Sequence, residues 1–201
     1  MAFNRIYTVI GARSQGKTPF IMGGDYEQGL ASIYLKKGMS TLIIDELDHP
    51  KYRHVPFLQP SEYHKLQTHI GIYRTIANVD NMPLLFPLIK SNVWNTLIVF
   101  EDCYKYIPMK LSKSQMSVIG NSKNQNNCLV FMHWCWGLVQ PDILRQTNYY
   151  VVFKTSDSPE VRKTYIGGCY NQLLKASETA KERSFNKKYS GKPYLVIDSG
   201  I

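Results

Sequence analysis

The chain is poor in several things, and each shortage excludes something. No C-x-x-C spacing links its four cysteines, Cys103, Cys128, Cys135 and Cys169. Cys103, Cys128 and Cys135 lie in or beside apolar runs. The expectation is therefore reduced, buried thiols, with no zinc site and no disulfide frame. Histidines 49, 54, 64 and 69 are scattered, without a paired cysteine or carboxylate at ligand spacing, so they do not read as a metal centre. No apolar run reaches membrane-spanning length, and the first residues lack a basic-then-apolar leader pattern. The expectation is a protein without an integral membrane segment, in the cytoplasm. No internal repeat is visible. Acidic residues are also scarce, 15 against 24 lysines and arginines.

That imbalance leaves a net charge of +9. A strongly basic surface attracts polyanions, nucleic acid first among them, and is read so in preference to a solubility surface or a patch for an acidic partner protein. Otherwise the composition is ordinary, 44% hydrophobic and 19% charged over 201 residues. Such a length suits one well-buried core with room for a small appendage.

The most specific stretch is Gly11-Ala12-Arg13-Ser14-Gln15-Gly16-Lys17-Thr18, which fits G-x-x-x-x-G-K-S/T. Residues 5–10 before it read as a strand, and the residues after it can open a helix. Glycines let successive backbone N–H groups turn inward onto phosphate oxygens, and the helix start adds its dipole. Lys17 supplies a cation for the β- and γ-phosphates, and the Thr18 hydroxyl is placed to ligate Mg²⁺. The cofactors expected are thus ATP and Mg²⁺.

Short apolar runs alternate with helical patterns, which predicts an α/β domain on a mainly parallel sheet. Strands are expected at 5–10, 41–45, 96–100, 128–133 and 149–153, with a short extra strand at 72–76 and a terminal one at 194–197. Helical patterns cover 25–37, 61–70, 82–92, 112–122 and 141–145. From 159 to about 188 the pattern is mostly helical and basic, interrupted at Gly167-Gly168. The division expected is a core over 1–157 and a basic helical extension over 158–201, packed on the same domain.

The strand at 96–100 delivers Glu101 and Asp102 to its carboxyl end, the crevice where open α/β sheets bind ligands. Two adjacent carboxylates allow a division of labour: Glu101 to the metal's water shell and Asp102 to the attacking water. The order is the reverse of the Asp-Glu usual in motor ATPases, so these roles could be exchanged. A rival acidic pair, Asp45-Glu46, ends the second strand. The next strand ends at His133, which either touches the γ-phosphate or the water, or is simply satisfied within its strand.

P-loop, acidic strand, polar-tipped strand, then Pro141-Asp142-Ile143-Leu144-Arg145 and the strand 149–154 together resemble the FtsK–HerA superfamily of DNA-pumping ATPases. Small viral genome-packaging ATPases and Zot-like phage assembly ATPases are the nearest in character, and the similarity covers residues 5 to 155. The resemblance implies a RecA-like sheet of order 5-1-4-3-2, a ring-shaped oligomer, often a hexamer, and ATP hydrolysis coupled to movement of double-stranded DNA. It implies a basic residue from a neighbouring subunit, matched here by Lys123 or Arg145. It also implies host cytoplasm or virion as the location if the source is viral. Candidate DNA-gripping residues are Lys105, Lys110 and Lys113, or the run Lys175, Lys181, Arg183, Lys187 and Lys188, unless that run is a solvated helix face. Two rival readings remain: a Zot-like ATP-binding module that docks a capsid or membrane assembly protein without pumping DNA, and a small-molecule kinase. Against the kinase stands the lack of a compact arginine-rich lid.

Overall fold

The structure, a computed structural model, describes residues 4–24, 28–46, 48–185 and 192–201. The expectations placed on Asp25 and on Lys187 and Lys188 lie outside the described residues.

Five strands are near-continuous apolar runs, and such runs need cover on both faces. They are β1 (Ile6–Ile10), β2 (Ser40–Asp45), β4 (Thr96–Phe100), β5 (Cys128–His133) and β6 (Tyr149–Val152). Every residue of β2, β4 and β5 is buried. With β3 (Ile72–Ile76) and β7 (Leu195–Asp198) they form a seven-stranded sheet of order β3-β2-β4-β5-β1-β6-β7. All pairings are parallel except β6 with β7. Numbered among themselves, the five inner strands run 5-1-4-3-2, and β3 and β7 add one strand at each edge.

Strand alternation splits the inward faces into two cores. On one face Leu42, Ile44, Ile98, Phe100, Leu129 and Phe131 pack on α3 (Met82–Asn92) and α4 (Lys113–Asn121). Phe86, Phe100 and Phe131 stack in series, with ring centroids 5.8 and 4.8 Å apart. On the other face Ile43, Val99, Val130 and Met132 meet α1 (Lys17–Met22) and α2 (Leu30–Leu35). A third cluster joins Ile10, Tyr150 and Val152 to Trp136 and to α7 (Tyr170–Phe185).

Local chemistry sets the ends of these elements. At α4 the Ser112 hydroxyl accepts from the Gln115 N–H at 3.3 Å, and the Gln115 amide oxygen accepts from the Ser112 N–H at 2.8 Å, a reciprocal cap. Pro87 is tolerated inside α3 because it sits on the solvent side, where water can reach the freed carbonyl. Three expectations need adjustment. The helix expected over 61–70 is a 3₁₀ segment, Pro60–Gln67, whose turns carry too few apolar positions for a full α stripe. The helix expected from residue 25 is described only from Leu30. The C-terminal pattern breaks into a 3₁₀ turn at Pro159–Arg162, α6 (Lys163–Ile166), a 3₁₀ turn at Gly167–Cys169 and then α7. The break falls at Gly167, whose φ of 71° ends α6.

Candidate nucleotide site

Parallel strands point their carboxyl ends to one side, and the turns after β1, β2, β4 and β5 meet there. The P-loop leaves β1 with the Gly11 N–H donating to the His133 carbonyl at 3.1 Å and the Ala12 N–H donating to the Lys154 carbonyl at 2.8 Å. Gly11 is required by contact: a Cβ there would lie 2.6 Å from Phe153 Cβ. Gly16 is required by conformation, with φ of 97° immediately before α1. Ser14 also takes a positive φ, 59°, so the loop alternates backbone hand as an anion nest does.

The cleft these turns enclose has a volume of about 540 Å³. Residues 13–19 form one wall; His49, Lys51, Glu101, Asp102, Lys105 and Trp134 form the other. The P-loop and the acidic strand end therefore share one cavity. Lys17 is buried, with Nζ donating to the Gly11 carbonyl at 2.5 Å and the Ala12 carbonyl at 3.1 Å. Burial lowers its pKa, Asp102 and Glu101 pull it back up, and the charges of Lys51 and Arg13 lower it further.

Glu101 and Asp102 point differently, as alternation requires. Glu101 is 4% exposed, and both its oxygens are engaged. Oε1 accepts from Lys51 Nζ at 2.5 Å and Oε2 from the Tyr52 hydroxyl at 3.0 Å. Burial, and then the carboxylate beside it, raise Tyr52 well above an ordinary phenol, so it stays a donor. Thr18 also interacts with the Tyr52 phenol. Asp102 turns out of the strand at φ 44°, a left-handed conformation that aspartate tolerates. Its Oδ1 is buried without a hydrogen-bond partner, and its Oδ2 lies 3.9 Å from Lys105 Nζ. Lys105 is held more closely by Glu46, at 2.8 Å. The rival carboxylate Asp45 accepts from the His49 N–H at 2.7 Å and so braces the loop after β2.

His133 is fully buried. It is not among the residues lining the cleft, and its Nε2 lies 3.4 Å from Cys103 Sγ. Burial lowers its pKa to about 3, against a hydrogen bond to the Leu138 backbone that raises it, so the ring is neutral. Lys123 and Arg145 are exposed and precede β5 and β6, at the opposite end of the parallel strands from the P-loop. Arg145 pairs with Asp142 at 3.3 Å. Lys110, Lys113 and Lys175 are exposed; Arg183 instead donates to the Lys192 and Tyr194 carbonyls, at 3.3 and 3.2 Å. Cys103, Cys128 and Cys169 are buried and Cys135 is half-buried; none of the four is in a disulfide.

Two side chains in the cleft had no signal in the sequence. Lys51 lies in a proline-marked loop, and nothing in its spacing ties it to Glu101, 50 positions on. Trp134 stacks under the Arg13 guanidinium at 3.9 Å and meets Tyr104 edge-on at 5.2 Å, a contact made only when β1 and β5 lie side by side.

The residues present suit Mg²⁺. Among the described residues no group of three or more histidines, cysteines or carboxylates could hold a metal alone. The cleft instead offers the Thr18 hydroxyl and, at the end of β4, the carboxylates of Glu101 and Asp102. That sparse set fits a cation that keeps its waters and takes its other oxygens from phosphates.

No family model and no curated protein matches this chain. Solved structures do. The genome packaging NTPase B204 from Sulfolobus turreted icosahedral virus 2, in complex with ATP-gammaS, superposes with a TM-score of 0.71 at 16% identity, covering 100% of this chain and 94% of that one. Its AMPPCP complex gives 0.71 at 15%, covering 98% and 94%. B204, the DNA-packaging ATPase from Sulfolobus turreted icosahedral virus, gives 0.67 at 15%, covering 100% and 95%. The chain therefore has the mostly parallel α/β P-loop NTPase fold seen in these viral genome packaging proteins.

Proposed function

We propose that this chain is an ATPase that drives packaging of double-stranded DNA. One observation carries the hydrolytic part. Asp102 lines the same cleft as the P-loop lysine, and its Oδ1, unlike either oxygen of Glu101, accepts no hydrogen bond. A charge kept in that position is costly unless a ligand uses it. The packaging part is supported by the fold shared with B204 and by the net charge of +9.

In this reading the P-loop amides and Lys17 bind the β- and γ-phosphates, for which Lys17 exchanges the Gly11 and Ala12 carbonyls. Asp102 orients the attacking water and accepts its proton as the new P–O bond forms. Lys17 offsets the charge that gathers on the leaving β-phosphate oxygen. Thr18 and Glu101 are the residues that would hold Mg²⁺. When bound, that ion neutralises charge on the phosphate oxygens. His133, behind the cleft, fixes the tip of β5 and the P-loop backbone that hydrogen-bonds to it. A neighbouring subunit's Lys123 or Arg145 completes the site in a ring. Both are exposed and remote from their own cleft, as a residue acting on a neighbour must be. Residues 1–157 form the motor core and 158–201 a basic extension on it. The place of action is the host cytoplasm or the virion. Among the described residues no helix is long and apolar enough to cross a membrane.

The test is steady-state phosphate release with and without double-stranded and single-stranded DNA, beside DNA affinity measured across salt and the native mass. The expected result is turnover stimulated by duplex DNA, affinity that falls steeply between about 50 and 200 mM salt, and a ring mass. Nucleotide binding without stimulated turnover, or a flat salt response, would instead favour an ATP-binding assembly module.

A further inference from the structure

The cleft contains two lysines besides the one in the P-loop, Lys51 and Lys105, and Lys105 is held by Glu46 at 2.8 Å. Lys51 comes from the 3₁₀ turn Pro50–Tyr52 after β2, and its Nζ lies 2.5 Å from Glu101 Oε1. The two partners are unequally placed. The lysine side chain is 28% exposed and the carboxylate 5%, so the cation faces the cavity and the anion lies behind it. The Glu101 carboxylate also has a hydrogen bond that does not depend on Lys51, from Tyr52 to Oε2 at 3.0 Å. Releasing Lys51 therefore leaves Glu101 with a donor, whereas Lys51 itself would need a new anion. Lys51 is also near enough to Lys17 for its charge to lower the pKa of that amine. An anion large enough to meet Lys17 at the P-loop thus comes within the field of both lysines.

We propose that Lys51 is a phosphate-sensing residue with two alternative partners, Glu101 and the terminal phosphate of a nucleoside triphosphate in the cleft, so that binding of a triphosphate releases the Glu101 carboxylate. The inference rests on the nucleotide-site reading and adds to it a cation from the same chain, distinct from any supplied by a neighbouring subunit. Lys51 lines the cleft beside its partner Glu101, and in the nucleotide-site reading the terminal phosphate reaches toward that acidic end. A diphosphate ends short of it. Lys51 therefore distinguishes the two nucleotides, and it couples that distinction to the carboxylate expected to order the metal's water.

The experiment compares the affinities of ATPγS and ADP, with Mg²⁺ present, for the wild-type chain and for Lys51→Met, Lys51→Arg and Lys51→Met/Glu101→Gln. Thermal unfolding is recorded for each. Lys51→Met is expected to cut the preference for ATPγS over ADP by about tenfold or more, the scale of one charge-assisted contact to phosphate. ADP affinity should barely change, and Lys51→Arg should restore most of the preference. The double variant, which leaves no unpaired buried carboxylate, should unfold near the wild-type temperature and still lack the preference. Equal losses for both nucleotides, or recovery of the preference in the double variant, would overturn the proposal and leave Lys51 as a structural partner of Glu101. A wild-type chain that binds neither nucleotide would overturn the nucleotide-site reading as well.

Discussion

In the proposed reading, Asp102 and Lys17 are the side chains whose surroundings a ligand would complete. Lys17 spends its charge on two backbone carbonyls of its own loop, and Asp102 leaves one buried oxygen unused. Protein interiors rarely tolerate such an atom without a purpose. Asp102→Asn keeps the shape and removes the proton acceptor. Its kcat is expected to fall by about two to four orders of magnitude while nucleotide affinity changes little, measured by single-turnover hydrolysis beside equilibrium binding. An unchanged kcat would move the base elsewhere. At this scale the sequence was most informative about residues held by local rules. Gly11 and Gly16 stand where a Cβ or a negative φ would not fit, and the motif spacing reveals both. Lys51 and Trp134 were invisible, because each is placed by a contact between elements far apart in the chain.

Among the elements, β5 has the most to do. It lies between β1 and β4, so it holds the P-loop strand and the acidic strand side by side. Its last residue, His133, is buried and neutral, with a pKa lowered to about 3 from the usual 6.5. Between those two values the unfolded chain binds a proton that the folded chain refuses. Stability therefore rises with pH across that window and is lost on acidification, by up to about 1.4 kcal/mol per pH unit. His133→Gln removes the titrating ring and should flatten this slope in denaturant unfolding measured from pH 6.5 to 4. A slope unchanged by the substitution would place the acid sensitivity in other groups. Strands β4 and β5 were legible because an unbroken apolar run bounded by polar residues has few other uses. The 3₁₀ segment at Pro60–Gln67 was not, since a short half-polar stretch satisfies several backbone conformations equally.

At the scale of the whole molecule, one sheet carries both signs of charge to one edge. The carboxyl ends of the strands gather Lys17, Lys51, Glu101 and Asp102 in a single cleft, and the opposite ends leave Lys123 and Arg145 in solvent. The inner order 5-1-4-3-2 puts the acidic strand two places from the P-loop strand, with β5 between them. Strand order was legible only through resemblance, since periodicity identifies strands but not their neighbours. The edge strands β3 and β7 extend that order without altering the cleft. The central claim is that this cleft hydrolyses a nucleoside triphosphate at the P-loop. Phosphate release by the wild-type chain and by Lys17→Ala, both with Mg²⁺ and duplex DNA, tests it most directly. The expected result is sustained turnover that falls by about a hundredfold or more in Lys17→Ala, with both proteins folded. Equal turnover in the two proteins, or none in the wild type, would contradict it.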